Sequence, residues 1–551
     1  MLNPFKKSRT AYNNSSVHKQ VERLRTPRYE LDDSRTNGGQ PGIVVTWWTR
    51  LLSAVVSGDI ANQDEQYLAH QTSQDYFFNA LGQGAWGALF PLLTVVCSQL
   101  VGIEQAGLFS MAFVVATLLL FIAQYGVRTY QVSDIAEQRS FSDYQIQRAA
   151  TVIVMVIAGL IWCFFKGYTE PMFSICTGAL LFRAVDGMAD VYEGRLQQKD
   201  KLYLAGLSQA LRCSASFVLF TAVLFVTRNL VWASWSMGIC ALITLVFVSA
   251  PLAILETDKS VRIKLTNIKD IFVQCWPLFL ALFLYNLIDS LPKFAMEGTL
   301  SYSNQLYFNA LYFPAHTILM ISTLIYRPQL FKLASLLETS IHNPASKKRF
   351  GVMVLALFGA IAVVTAGTAA FVEFIGIPLN SFLYGVDFEQ YRGLARIMVA
   401  TGGLCAAIDF LYQLITIMRA QKAVTRAYLI SFVVSIPIIW MMVSFTGLNG
   451  AVIGSFSSIL ILFLLLGLTL KDSLNPEYGS GSQVFGVGLV FVLTLALILL
   501  GVVLMLVQYV RAPAFFRGEV IARSDAVTEE LKVATVLEED DGEASQLRAA
   551  S

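Results

Sequence analysis

The chain has 551 residues, 55% hydrophobic and 14% charged, with mean hydropathy +0.59 and formal net charge +2. A soluble domain carries about 25% charged residues, so the composition excludes an ordinary soluble protein and gives no bulk reason to bind nucleic acid. The seven cysteines lie in apolar runs without ligand spacing and the four histidines are scattered, so neither a disulfide framework nor a metal site is expected.

Residues 1–42 are polar with a basic excess, and they predict a disordered cytoplasmic tail. No apolar core lies near the start, so no cleavable signal peptide is expected. Residues 43–57 are apolar but short and interrupted by Arg50. Fewer than ~17 apolar residues do not comfortably span, so this stretch predicts an amphipathic helix lying on the membrane surface.

Thirteen spanning runs follow, near 74–99, 104–127, 147–166, 171–190, 203–226, 230–254, 270–292, 305–328, 351–374, 392–418, 424–445, 449–470 and 484–509. Each is near the ~20 residues needed to cross hydrocarbon. Lys and Arg concentrate after the second, fourth, sixth, eighth and tenth runs, as in Lys259, Arg262, Lys264 and Lys269. The positive-inside bias therefore puts the amino terminus in the cytoplasm, and twelve spans return the chain there near Lys471. The thirteenth run would carry the acidic tail outside, whereas Arg511, Arg517 and Arg523 favour inside; the side of the tail stays open.

The expected organisation is a tail with its interfacial segment (1–72), a first six-helix lobe (73–256), a second (257–472), and an additional apolar helix with an acidic disordered tail (473–551). Two paired segments hint at a repeat. Each starts inside, after Asp75 or Asp270, and each second helix ends with an arginine, Arg128 or Arg327. Two parallel six-helix halves fit a transporter with a central cavity.

Charges at bilayer depth are costly and usually face protein or a wet cavity. Arg183, Asp186 and Asp190 share one helix face in the fourth span. They can neutralise one another, or line a cavity. Arg212 lies mid-span in the next helix, with Gln209 on its face and no carboxylate at helical spacing. It either lines the cavity or pairs with Asp186. Asp289, Lys293 and Glu297 end the seventh span, as an interfacial snorkelling cluster or a functional one. Asp409 lies within an apolar flank and must face protein or water. The first span carries Asn79 and Gln83 and no acid past Asp75, which disfavours neutralising organic cations there. No P-loop or catalytic constellation is visible, so no enzyme activity and no cofactor are expected.

Three segments carry a resemblance: GLFSMAFVVATLLLFIAQYGVRTYQVSD (107–134), DVYEGRLQQKDKLYLAG (190–206) and LYFPAHTILMISTLIYRPQL (311–330). Over roughly 73–470 the chain resembles bacterial polysaccharide export proteins of the MOP superfamily, the Wzx-type flippases. The resemblance implies an all-α polytopic inner-membrane protein, two six-helix lobes around a central cavity. It implies that alternating access moves an undecaprenyl-pyrophosphate-linked oligosaccharide between leaflets. Basic cavity residues would meet the pyrophosphate, here Arg183 and Arg212 helped by Arg128, with Gln209, Asn79 and Gln83 in the polar lumen. Asp186, Asp190, Asp409, Asp289 and Lys293 would couple an ion or gate the cavity. The expected partners are the lipid-linked cargo, membrane lipid and glycan-assembly proteins such as a polymerase, with the chain itself monomeric. The long amino-terminal extension, the thirteenth span and the acidic tail depart from the twelve-helix core. A multidrug cation antiporter of the same superfamily, a glycan polymerase and a scaffold of glycan assembly are the alternatives.

Overall fold

In hydrocarbon no water is present to bond backbone N–H and C=O groups, so a spanning chain must satisfy them locally, as helix. The computed structural model describes residues 64–134, 137, 139–199, 201–255, 257, 263–340, 344–418 and 421–474. The expectations for the basic tail, the surface helix at 43–57 and the thirteenth run lie outside the described residues.

The described residues are almost wholly helical. The long helices are α1 (Asp64–Val101), α2 (Ile103–Gln124), α4 (Phe141–Phe165), α5 (Met172–Gln198), α6 (Leu202–Thr227) and α7 (Leu230–Thr244), with the short α3 (Val127–Ser133) following α2. A π-helical turn, Leu245–Ser249, carries α7 into α8 (Ala250–Leu255). The chain continues through α9 (Leu265–Met296), α10 (Tyr302–Tyr326), α11 (Leu330–Ser340), α12 (Pro344–Phe371), α13 (Ile377–Tyr384), α14 (Arg392–Ile417) and α15 (Gln421–Leu474).

Eleven segments among the described residues are long and apolar enough to cross a membrane. The last, Ala423–Lys471, has 49 residues. A straight helix of that length would run about 74 Å, far beyond a ~30 Å hydrocarbon core. The chain reverses instead at Gly447, whose φ of 60° and ψ of −130° suit a residue without Cβ. A Cβ on Gly454 would lie 3.4 Å from Ile439 Cα, whereas a straight helix would separate the two by about 22 Å. The eleventh segment is therefore a helical hairpin, each arm of which is long enough to be a candidate span, so the described residues offer twelve.

Local signals end and start the helices. Ser140 and Asp143 form a capping box at α4, and Asn229 caps α7 by accepting from Val231 and Trp232 N–H. The helices gather in two groups. In the first, α5 packs on α2, α4 and α7, and α6 on α7. In the second, α15 packs on α9 and α14, and α14 on α10 and α12. The groups meet chiefly where α2 lies along α10 and α9. There Asn309 Nδ2 donates to Ser110 Oγ at 2.7 Å. Gly107 allows the close approach, since a Cβ would stand 1.9 Å from Tyr302 O.

Candidate functional site

Helix α5 places Arg183, Asp186, Asp190 and Glu193 along one face at spacings of three or four residues. All four are buried, and they organise a charge network inside the first helix group. Asp186 is held by Arg183 (3.0 Å) from its own helix and by Arg212 (2.7 Å) from α6. Glu193 is held by Arg212 (2.6 Å) and lies 3.6 Å from Arg128. Asp190 is held by Arg128 (3.1 Å) and by Arg148 of α4 (2.7 Å). Each carboxylate thus serves two arginines. Four arginines face three carboxylates, so the network keeps one formal positive charge.

Within this network Arg183 packs against side chains of α1 and α2. It lies 4.5 Å from the Phe113 ring centroid and 5.0 Å from that of Trp86, a cation–π arrangement that fixes its plane. Its Nε donates to Thr117 Oγ1 at 3.1 Å and its Nη1 to Asp186. Trp86 Nε1 donates to the same Asp186 oxygen at 2.8 Å. The Arg183 Nη2 has no protein acceptor among the described residues.

Arg183 lines a cavity of about 180 Å³ between the two helix groups. Trp86, Phe90, Phe113, Thr117 and Phe121 build the wall on the Arg183 side. Helices α9 and α10 build the other, with Asn286, Asp289, Lys293, Asn309, Tyr312 and His316. Lys293 is 5% exposed. Its Nζ lies 3.2 Å from Asp289 Oδ2 and 4.6 Å from the Tyr312 ring centroid. Tyr312 donates its hydroxyl to Asp289 Oδ1 at 2.6 Å. The pair therefore belongs to the cavity wall, and the snorkelling alternative considered for it does not describe its position: the ammonium is enclosed by aromatic rings. Among the described residues no group of three or more His, Cys, Asp or Glu side chains is placed to hold a metal.

The remaining expected residues are spread through the body. Arg212 is 1% exposed and engaged at both terminal nitrogens, so it takes the paired arrangement with Asp186 and does not reach the cavity wall. Arg128 lies a quarter exposed beside Asp190 and also donates to Gln197. Gln83 donates to Gln209 at 3.4 Å, which ties α1 to α6, and neither residue lines this cavity. Asn79 lies beside Gly206, whose Cβ position would meet Asn79 Cα at 2.7 Å. Asp409 accepts from the Tyr326 hydroxyl and has no cation within 4 Å among the described residues. The sequence reading missed Glu193 and Arg148. Both lie near helix ends, where a charge reads as ordinary loop charge, and their partners come from other helices.

A second set of contacts joins the two groups at one end of the bundle, the outer end in the orientation expected from Lys and Arg. Glu104 at the start of α2 accepts from the backbone N–H groups of Tyr302 and Ser303 at 3.0 and 2.9 Å. It caps α10, where negative charge is favoured. Lys166 lies 2.6 Å from Glu297, and Tyr168 donates to the same carboxylate. Burial and the Glu297 charge push the Tyr168 phenol above its ordinary value, so it remains a donor. Thr94 and Gln99 of α1 reach Tyr384 and Leu383 O at 3.1 and 2.7 Å.

No protein-family model matches the chain, and no curated protein matches it by sequence. Solved structures do. One is an inward-facing multidrug resistance MATE transporter of the MOP superfamily (TM-score 0.52, 13% identity, covering 71% of this chain and 96% of that one). Another is a Vibrio cholerae MATE transporter, crystallised as a single-residue mutant (TM-score 0.51, 14% identity, 75% and 99%). A third is a MOP superfamily transporter from Pyrococcus furiosus, described as having a binding pocket of reverse polarity that suggests a different function (TM-score 0.50, 14% identity, 73% and 96%). At such identity the likeness concerns the fold: the chain is a polytopic membrane protein with the helical architecture of the MATE and MOP transporters.

Proposed function

We propose that the protein is an alternating-access flippase that moves an anionic lipid-linked cargo across the bacterial cytoplasmic membrane. An undecaprenyl-pyrophosphate-linked oligosaccharide bound for the cell surface is the cargo that fits best. One observation carries this reading. The cavity between the helix groups presents a basic side chain on each wall, Arg183 and Lys293, and its one acidic lining residue, Asp289, is already paired. With Lys293 set against Asp289, the lining keeps one formal positive charge, that of Arg183, which supports an anionic cargo. Arginine binds phosphate oxygens through a planar fork and stays charged at any cellular pH. The aromatic rings and amides around it offer stacking and hydrogen bonds to sugar.

In this mechanism the cargo's pyrophosphate meets the unfilled Nη2 of Arg183 and the Lys293 ammonium, and its lipid remains in the bilayer. Rocking of one helix group against the other opens the Glu104–Glu297 end. Arg212 acts at one remove by holding Asp186, the carboxylate that holds Arg183, and Arg128 and Arg148 hold the neighbouring Asp190. Asp409, a carboxylate with no cationic partner among the described residues, is the acid best placed to couple an ion. The test is leaflet exposure of a labelled undecaprenyl-pyrophosphate glycan in vesicles. Protein-dependent transfer supports the reading; absence of transfer across several glycans contradicts it.

The MATE-like fold favours one second reading, a multidrug cation antiporter. It predicts drug sensitivity on deletion and cation binding by the isolated protein, which the paired Asp289 and the positive excess beside Arg183 oppose.

A further inference from the structure

We propose that Asp289 is a tethered counter-anion: it occupies Lys293 while the cavity is empty, and the cargo's phosphate takes its place. The inference rests on the anionic-cargo reading above and says how the same site is set for release and reset.

The pair differs in kind from the first-group network. Asp186, Asp190 and Glu193 are each shared by two arginines, so withdrawing one partner leaves the other in place. Lys293 and Asp289 have only each other as ionic partners among the described residues. They lie one helical turn apart on α9, and both line the cavity. The Tyr312 hydroxyl, 2.6 Å from Asp289 Oδ1, steadies the carboxylate from α10. Its ring lies against the ammonium.

A carboxylate oxygen and a phosphate oxygen are acceptors of the same type for an ammonium. Cargo entering beside Arg183 therefore competes directly with Asp289. Lysine suits such an exchange, because its compact charge and rotatable donors can turn from one acceptor to another without breaking a fixed fork. An isolated pair can open without stranding a third group. When the cargo leaves, Asp289 returns, and the empty cavity carries no bare ammonium in a low-dielectric wall, which is costly. Asp289 thus lowers affinity for the cargo and speeds reorientation of the empty protein.

This predicts a split that a merely structural residue would not produce. In Asp289→Asn, inorganic pyrophosphate should bind the purified full chain more tightly, by about tenfold, the low end of what a desolvated charge pair contributes. The maximal rate of leaflet transfer of a labelled isoprenyl diphosphate should fall in the same variant. Asp289→Glu should restore both, and Tyr312→Phe should move both in the direction of Asp289→Asn by less. Calorimetry gives the affinity and a vesicle transfer assay the rate. Unchanged or weaker pyrophosphate binding in a folded Asp289→Asn protein, with binding intact in the unaltered chain, overturns the tether and leaves the anionic-cargo reading standing. Failure of the unaltered chain to bind pyrophosphate overturns both. Should Asp289→Asn not fold, Tyr312→Phe decides: tighter binding supports the tether and unchanged binding overturns it.

Discussion

Arg212 of α6 bridges two carboxylates of α5, 2.6 Å from Glu193 and 2.7 Å from Asp186, at 1% exposure. Removing one partner of a buried pair costs about 3–5 kcal/mol, because a charge is left uncompensated. Arg212→Ala leaves Asp186 with Arg183 alone and Glu193 with Arg128 alone at 3.6 Å, and should lower the unfolding free energy of the protein in detergent by up to that amount. Arg212→Lys should recover only part, since one point charge cannot span both carboxylates. Neither should weaken pyrophosphate binding as strongly as Arg183→Gln, and a calorimetric titration of the three variants would check the order.

Asp190, buried, and Asp409, partly buried, are both acids within helices of the body, with opposite expectations. Asp190→Asn strands Arg148, which is 0% exposed and has no other ionic partner among the described residues, while Arg128 keeps Glu193, and should destabilise by about 3–5 kcal/mol. Asp409→Asn strands no cation, because its bonded partner is the Tyr326 hydroxyl. Its unfolding midpoint should stay level or rise. Thermal unfolding of both variants tests the contrast; equal losses would contradict it.

The Lys166–Glu297–Tyr168 contact ties the two helix groups at one end. Lys166 is one-third exposed, so the ion pair is discounted for screening, and the two bonds together are worth roughly 1–2 kcal/mol. Glu297→Gln should raise the population opened at that end by a factor of about 5–30. Spin labels at Glu170 and Gly298, in loops of the two groups at that end, should report longer distances in the variant. An unchanged distribution would show that Glu104 and the α1 contacts hold that end closed by themselves.

Much of this was legible in the sequence, for identifiable reasons. Hydropathy located the candidate spans of the described residues, including the turn near TGLNG that Gly447 makes. The helical spacing of Arg183 and Asp186 offered pairing as one of two alternatives, and Asp186 as a partner for Arg212 was likewise one of two; the structure has both pairs. The partners of Asp190 were not legible, because Arg128 and Arg148 reach it from α3 and α4 and spacing along one helix says nothing about a neighbour. Lys293 was ambiguous for a different reason. Its depth in the chain matches an interface, and only the rings of Phe308 and Tyr312 around it show that it faces inward.

The most direct measurement is protein-dependent transfer of a labelled undecaprenyl-pyrophosphate glycan between leaflets of proteoliposomes, comparing the unaltered chain with Arg183→Gln. Arg183 contributes the one guanidinium that lines the cavity with a free Nη2, and a charge-assisted phosphate contact is worth about 1.5–3 kcal/mol. The account predicts transfer by the unaltered chain and a loss of at least tenfold in apparent affinity in Arg183→Gln. Transfer with the same affinity in a folded Arg183→Gln protein would contradict the claim that this cavity receives the pyrophosphate.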